Sequence, residues 1–224
     1  MTTYASSAAV STNARQRTPG GDPFDPWQFF TPNQIAEIAH VPIENVHAHW
    51  PEVAEALAAR GIFEREVTAG VIGTMAIETA STFLPVEEAY WLKGPSGEET
   101  PAWREAVKRY YPHHGRGDVQ ITWENGYRQA GEAIGVDLLA DPELALDRKN
   151  SARIIAWWFD VKGVPSKDGT RFYRLVDLCR ERDWYWTRVA VQGGTAHLDR
   201  LIAVANGLPR LSPTIWPSAG PAPT

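Results

Sequence analysis

One acidic residue, Glu78, stands alone in a long apolar stretch of the chain. Between Val67 and Val86 the sequence carries no other charged side chain. On a helix, this carboxyl group continues an apolar line formed by Val67, Val71 and Met75. Burial and the negative end of the helix dipole both favour the neutral carboxylic acid over the carboxylate. The pattern therefore indicates either a general acid that keeps its proton or a buried glutamate paired with an arginine.

A second pair of acids, Glu87 and Glu88, follows a break in the pattern at Pro85. The break lets the chain turn, so that one of these carboxylates can face Glu78 across a cleft. Hydrolysis of a glycosidic bond commonly needs one acid that protonates the leaving oxygen and one base that activates water. The alternative is a solvated helix start, because acidic residues favour the first turn. We expect at least one of the two to be only that.

The elements that must position these acids are predicted to be mainly helices. Thr31 and Pro32 have the residue types of a helix cap and a first helical position. Apolar residues at helical spacing predict helices over residues 43–60 and 64–81. Further helices are expected at 103–110, 127–134, 151–161, 172–182 and 196–206, with N-caps at Asp141 and Asn150.

One extended segment interrupts the helices, in the sequence "GRGDVQITWE". Its apolar residues alternate with polar ones, which is the period of a strand. Gln120 and Thr122 would then point to the same face. The sequence thus predicts a mainly α protein with a small extended segment.

Composition limits the classes of protein that the chain can represent. The 224 residues carry a formal charge of −5, which argues against a nucleic-acid-binding surface. Cys179 is the only cysteine, so neither an intrachain disulfide nor a cysteine zinc cluster can form. The histidines show no H-E-x-x-H spacing. No secretory signal is recognisable at the N-terminus. We expect a folded unit over 23–211, between linkers at 1–22 and 212–224 that are poor in core-forming residues.

The segment "YYPHHGRGDVQITWENGYRQAGEAIGVDLLADPELALDRKNSARIIAWWF", taken with the acids before it, resembles glycoside hydrolase family 19. The family comprises chitinases and phage endolysins, and it implies a lysozyme-like, bilobal helical fold. The stretch "WPEVAEALAARGI" is more similar to endolysins of the mycobacteriophage type than to plant chitinases. The resemblance extends over about residues 32–208.

The resemblance also implies roles for individual residues. Glu78 takes the general-acid position, Glu88 the base position with Glu87 as its alternative, and Thr122 the position that holds the attacking water. Substrate-binding positions fall on Gln120, Asn125, Tyr127, Gln192 and Arg200. Since indole rings stack on sugars, we also expect Trp123 or Trp91 at the cleft.

The function that follows is cleavage of β-1,4 bonds between amino sugars of bacterial peptidoglycan, as a muramidase or an N-acetylglucosaminidase, with inversion and without cofactor or metal. Such an endolysin would be a monomer, would be flanked by other modules, and would stay in the host cytoplasm until it reaches the wall. The alternatives are a chitinase acting on GlcNAc polymers, a non-catalytic wall-binding module, and a lytic transglycosylase.

Overall fold

A computed structural model describes residues 24–166 and 168–208. The described residues are mainly helical, as predicted, and the folded unit expected at 23–211 lies almost entirely within them. The linkers expected at 1–22 and 212–224 lie outside the described residues. Within the described part of the chain, no helix is both long and apolar enough to cross a membrane.

The described residues form nine α-helices and two short antiparallel strand pairs. The helices are α1 (Pro32–Ala39), α2 (Ile43–Ala59), α3 (Arg65–Glu78), α4 (Pro101–Val107), α5 (Trp123–Ile134), α6 (Arg148–Val161), α7 (Leu175–Arg180), α8 (Trp184–Gln192) and α9 (Leu198–Gly207). Strand β1 (Val86–Glu87) pairs with β2 (Arg116–Gly117), and β3 (Gly163–Pro165) pairs with β4 (Phe172–Arg174). Turns of 3₁₀ helix lie at Tyr90–Leu92 and Pro142–Leu146.

Helix α3 is the centre of the larger of two hydrophobic clusters. Its residues from Val67 to Ala76 are all buried, against α9, α7 and α8 among others. A smaller cluster is formed by Ala89, Trp103 and Val107, against which Leu92 and Tyr110 pack. The two clusters agree with the predicted bilobal helical fold, and the chain crosses from the first to the second through β1.

Capping accounts for several of the helix starts that the sequence predicts. Thr31 accepts a hydrogen bond from the Gln34 backbone N–H, while the Gln34 side chain accepts one from the Thr31 N–H. This reciprocal pair is a capping box. Asp141 caps the 3₁₀ turn, as expected. The cap of α6 is Asp147, three residues earlier than the expected Asn150.

The extended segment predicted in "GRGDVQITWE" is mostly a turn. Only Arg116 and Gly117 form a strand, and Gln120 has a left-handed backbone with φ of 52°. Helix α5 then begins at Trp123, four residues before the expected start. The alternation arises because the turn buries Val119 and Ile121, whereas Trp123 is exposed.

Two other expectations were wrong in detail. Residues 172–174 form strand β4, so the helix expected from 172 begins at Leu175. Helix α8 was not predicted at all, because its aromatic and β-branched residues have low helix propensity. Its first turn is capped by Asp183, which accepts a hydrogen bond from the Trp186 backbone N–H.

Candidate active site

A cleft of about 730 Å³ lies where the two clusters meet. The end of α3, strand β1 with the residues that follow it, the start of α5 and the end of α8 all contribute to its wall. The predicted site residues in this lining are Glu78, Glu87, Glu88, Trp91, Gln120, Thr122, Trp123, Gln192 and Arg200. Segments far apart in sequence thus bring Glu78 and the adjacent pair Glu87 and Glu88 to one cavity.

Glu78 is the last residue of α3, and its side chain is 14% exposed. Its Oε1 accepts a hydrogen bond from Nη1 of Arg188 on α8. The sequence left open whether this glutamate is a lone acid or is paired with an arginine, and the structure shows the pair.

Arg188 is itself held in place, although it is a buried cation with only 1% exposure. Its Nε donates to the carbonyl oxygen of Ala196 over 2.6 Å, and its Nη2 donates to Oε1 of Gln192. Each of its nitrogens therefore has an acceptor. This network fixes the guanidinium against Glu78 from the side of α8.

Glu88 is held by four hydrogen bonds. Its backbone N–H donates to the Gly115 carbonyl over 2.7 Å, and its carbonyl accepts from Nε1 of Trp103 over 3.2 Å. Its Oε1 accepts from the Tyr110 hydroxyl at 2.6 Å, and its Oε2 accepts from the Gly115 N–H at 2.9 Å. No cation is paired with this carboxylate among the described residues.

Glu87, the last residue of β1, has a different environment from Glu88, which follows the strand. Its carboxylate contacts His114 at 2.8 Å, Arg116 at 3.6 Å and the ammonium group of Lys93. Burial acts to raise the pKa of Glu87, but these hydrogen bonds and charges outweigh it and hold the pKa below its usual value. A carboxylate stabilised in this way is a poor proton acceptor, so the geometry favours Glu88 as a base.

Gln120 and Thr122 reach the cleft from the turn before α5. Nε2 of Gln120 donates to the carbonyls of Val86 at 2.8 Å and Gly117 at 2.9 Å, which ties β1 to the turn. The Thr122 hydroxyl donates to the Gln120 carbonyl at 3.0 Å. A hydroxyl that donates its proton to the protein keeps its lone pairs for another donor, such as a water molecule.

The backbone at Gly115 approaches these side chains very closely. A Cβ at this position would lie 2.7 Å from Oε1 of Gln120 and 3.1 Å from Oε2 of Glu88. Only glycine fits there without moving one of them. The two predicted site residues therefore converge on the same point of the cleft wall.

Three tryptophans line the cleft: Trp91, Trp123 and Trp158. Trp91 and Trp123 are 66% and 47% exposed, so their rings are available to a ligand. The guanidinium of Arg109 lies over the Trp123 ring, 5.3 Å from its centroid. Among the cleft arginines within the described residues, Arg109 has no hydrogen bond or ion pair, whereas Arg188 and Arg200 both do.

Comparison with known proteins agrees with this arrangement. Residues 65–170 match the family model of glycoside hydrolase family 19, described as chitinase class I. The chain contains a glycoside hydrolase family 19 domain. The matched segment includes both Glu78 and Glu88, whereas Arg188, Gln192 and Arg200 lie outside it.

Curated relatives match this family 19 domain over a short segment. Basic endochitinase B of Arabidopsis thaliana is 43% identical over 60 residues, which are 27% of this chain and 17% of the relative. The Inactive chitinase-like protein 1 of Hevea brasiliensis is 43% identical over 59 residues, 26% of this chain and 18% of the relative. The matches thus span less than a fifth of these relatives' length.

Solved structures extend the likeness to most of the chain. Chitinase C from Streptomyces griseus HUT6037 superposes with a TM-score of 0.56 and 18% identity, over 80% of this chain and 91% of that one. The crystal structure of a bacterial family 19 chitinase gives a TM-score of 0.55 at 18% identity, over 80% of this chain and 94% of that one. At this identity the likeness concerns the fold.

Two predicted substrate contacts, Tyr127 and Asn125, lie outside the cleft lining. Tyr127 is fully buried, so it cannot touch a ligand; its hydroxyl donates to the His114 carbonyl at 2.6 Å and accepts from Arg116 at 2.9 Å. Asn125 is exposed on α5 outside the cleft lining, and its Oδ1 accepts from Arg128. Both stand on a helix that turns these side chains away from the cavity.

No group of three potential metal ligands occurs within residues 24–166 and 168–208. His49 is buried, and its Nε2 contacts Oδ2 of Asp118 at 2.8 Å, while Ser151 donates to the same oxygen at 2.7 Å. Burial acts to lower the pKa of His49, but Asp118 and Glu52 raise it above its usual value. This network anchors the turn that carries Gln120.

Sequence reasoning missed three residues that shape the site: Arg188, Tyr110 and Arg109. Arg188 is separated from Glu78 by 110 positions, and no local pattern connects them. Tyr110 is 22 positions from Glu88. The signal that could have helped was the need of a buried glutamate for a cation, which pointed to an arginine without saying which.

Proposed function

We propose that the protein is an endolysin-type glycoside hydrolase that cleaves β-1,4 bonds between amino sugars of bacterial peptidoglycan, by a single displacement with inversion. The observation that carries the proposal is the presence of Glu78 and Glu88, with contrasting partners, in the wall of one cleft. Two carboxyl groups with different environments are what general acid and general base catalysis need.

Glu78 acts as the general acid. It enters the reaction protonated, gives its proton to the glycosidic oxygen and becomes a carboxylate. Arg188 is already hydrogen-bonded to Oε1 and stabilises the negative charge that develops as the proton leaves. An interaction that is stronger in the transition state than before it accelerates the chemical step.

Glu88 acts as the base, and Thr122 orients the water that it deprotonates. The carboxylate is immobilised by Tyr110 and Gly115, and it has no paired cation among the described residues. The Thr122 hydroxyl can accept a hydrogen bond from the water. Gln120 holds the turn against β1, while Trp91 and Trp123 offer faces to the sugar rings.

The choice between peptidoglycan and chitin depends on charge. Several relatives are named chitinases, and chitin is a second candidate substrate. Peptidoglycan has the same β-1,4 amino-sugar backbone but carries carboxylates on its stem peptides. The unpaired guanidinium of Arg109 at the cleft favours such an anionic polymer.

The biological role proposed is lysis of the host wall by a phage enzyme. The protein would be monomeric, would be made in the host cytoplasm, and would reach the wall only when released, with flanking modules that bind the wall or cut elsewhere. The resemblance of "WPEVAEALAARGI" to endolysins supports this role.

The test is digestion of purified cell walls by the protein and its Glu78→Gln and Glu88→Gln variants. Both variants should lose about 100-fold or more of the rate at which reducing ends appear, since general acid or base catalysis contributes about 10²–10⁴-fold. Glu124→Gln, on the exposed start of α5, serves as the control. Wall lysis that is undiminished in Glu78→Gln contradicts the assignment.

Mass spectrometry of the released fragments separates the alternatives. A muramidase and an N-acetylglucosaminidase leave different reducing sugars, and a lytic transglycosylase leaves anhydro ends. Release from chitin oligomers but not from walls would support a chitinase. The relative from Hevea brasiliensis is named as inactive, which supports a test of the non-catalytic hypothesis as well. A non-catalytic wall-binding module would bind to walls without releasing any fragment.

A further inference from the structure

The Tyr110 hydroxyl makes the shortest of the four hydrogen bonds that hold Glu88, at 2.6 Å to Oε1. The Gly115 N–H occupies the other carboxylate oxygen at 2.9 Å. One donor on each oxygen fixes the plane of the carboxylate and leaves further lone pairs for water. The phenol reaches Glu88 from outside β1, so this bond is independent of the strand pairing.

The ring of Tyr110 is set by its neighbours. It packs against the smaller hydrophobic cluster, and its centroid lies 5.2 Å from that of Trp123 in an edge-on arrangement. Burial and the adjacent Glu88 charge raise the pKa of Tyr110 to about 12. The phenol therefore keeps its proton across the range in which the enzyme works and always acts as the donor.

We infer that Tyr110 is a positioning residue for the general base: its hydroxyl orients the Glu88 carboxylate toward the attacking water. This inference rests on the proposed role of Glu88. The hydroxyl does not take part in proton transfer itself; the proton passes from water to Glu88, and the phenolic proton stays on Tyr110.

The decisive comparison is between Tyr110→Phe and Tyr111→Phe. Tyr111 is the neighbouring tyrosine, 57% exposed, and its ring stacks on His114 rather than reaching a carboxylate. Phenylalanine keeps the ring of Tyr110 in the cluster, so both variants should fold, and their thermal midpoints should agree with that of the parent. Rates are measured on purified walls as a function of substrate concentration and pH.

In Tyr110→Phe we expect kcat to fall about 10- to 100-fold with KM nearly unchanged, because one hydrogen bond to a charged group is lost. The acidic limb of the pH profile of kcat should also move to higher pH, since the variant lacks a donor that favours the ionised base. Tyr111→Phe should show neither change. A merely structural role for Tyr110 would lower the thermal midpoint without moving the limb.

Three outcomes overturn the inference, and they distinguish its failure from that of the proposed function. If Glu88→Gln is inactive but Tyr110→Phe keeps the kcat and pH profile of Tyr111→Phe, the inference alone fails and the proposed function stands. The same holds if the variant raises KM with kcat unchanged, which would make Tyr110 a substrate contact. If Glu88→Gln remains fully active, the assignment of the base fails and the inference fails with it.

Discussion

Glu87 and Glu88 are adjacent in sequence, yet the fold gives them opposite surroundings. Glu88 accepts hydrogen bonds from uncharged donors at the edge of the cleft, whereas Glu87 lies among His114, Lys93 and Arg116. The sequence alone could not distinguish them, because the choice depends on which distant side chains the fold brings to each carboxylate. Their different partners separate a chemical role from a structural one.

At the residue scale, replacement of Glu87 should change stability in a pH-dependent way. Glu87→Gln removes one charge from a buried cluster, so we expect a loss of about 1–3 kcal/mol in the free energy of unfolding near neutral pH. The folded-state pKa of Glu87 is lowered, so its contribution is present above the unfolded pKa and is lost as the pH falls through the folded one. The difference in the free energy of unfolding between parent and variant should therefore shrink as the pH falls below about 4.5.

Denaturant unfolding at a series of pH values between 3 and 7 measures this difference. Glu55→Gln, on an exposed position of α2, is the matched control and should have no such dependence. A constant gap between parent and Glu87→Gln across the series would show that the carboxylate charge does not contribute.

At the scale of elements, helix α3 must lie close to its neighbours in order to place Glu78. Gly70 and Gly73 are both buried in α3, and a Cβ at Gly70 would lie 2.6 Å from Sγ of Cys179. A Cβ at Gly73 would lie 2.7 Å from Cδ1 of Leu201 on α9. The glycines therefore set the distance from α3 to the helices around it.

This packing predicts that two glycine-to-alanine changes in helices alter the stability of the protein in opposite directions. Gly126 of α5 has open space at its Cβ position, so Gly126→Ala should stabilise the protein by about 0.5–1 kcal/mol. Gly70→Ala gains the same helix propensity but meets Cys179, and should be destabilising by about 1–3 kcal/mol. Thermal unfolding of the two variants measures both effects. Stabilisation by Gly70→Ala would mean that α3 can shift freely.

The elements also show which parts of the fold can be predicted from sequence. Helices α2 and α3 have apolar residues at regular spacing, and the capping box of α1 involves residues that are close in sequence. Both patterns therefore predict the helices that the folded protein contains. The turn at residues 118–122 has the alternating sequence of a strand, because tertiary packing buries Val119 and Ile121 while Gln120 and Thr122 are only partly buried. Helix α8 depends on its cap and on burial rather than on propensity.

The candidate site shows the same division. The acids and the Gln120 and Thr122 pair could be predicted, since their types carry chemistry and their neighbours form a recognisable motif. Arg188 could not be assigned, because its partner is set by the packing of α8 on α3. Tyr127 lies in the core, which could not be predicted, because a motif does not show whether a side chain faces the cavity or the core.

At the scale of the whole molecule, the distribution of charge affects how strongly the protein attracts its substrate. The chain has a formal charge of −5, so its long-range field does not attract an anionic polymer. Salt screens that field beyond about 8 Å at physiological ionic strength. Local cations at the cleft therefore matter more than net charge. Arg109 lies over Trp123 at this cleft without an acidic partner among the described residues.

Removal of this cation should affect charged substrates alone. For Arg109→Gln we expect kcat/KM on cell walls to fall about 1.5- to 5-fold at low salt, since exposed ion pairs contribute about 0.2–1 kcal/mol. Cleavage of neutral GlcNAc oligomers should be nearly unchanged. Arg104→Gln, on exposed α4 outside the cleft, removes the same charge as a control.

The substrate offers a second control, because the stem-peptide carboxylates can be converted to amides. On amidated walls, the parent and Arg109→Gln should have the same kcat/KM, and on native walls the difference should shrink as salt is raised. A loss that persists on amidated walls would mean that Arg109 acts through the Trp123 ring rather than through charge. An equal loss on GlcNAc oligomers and native walls would remove the argument for an anionic polymer and favour chitin, while the roles of Glu78 and Glu88 would be unaffected.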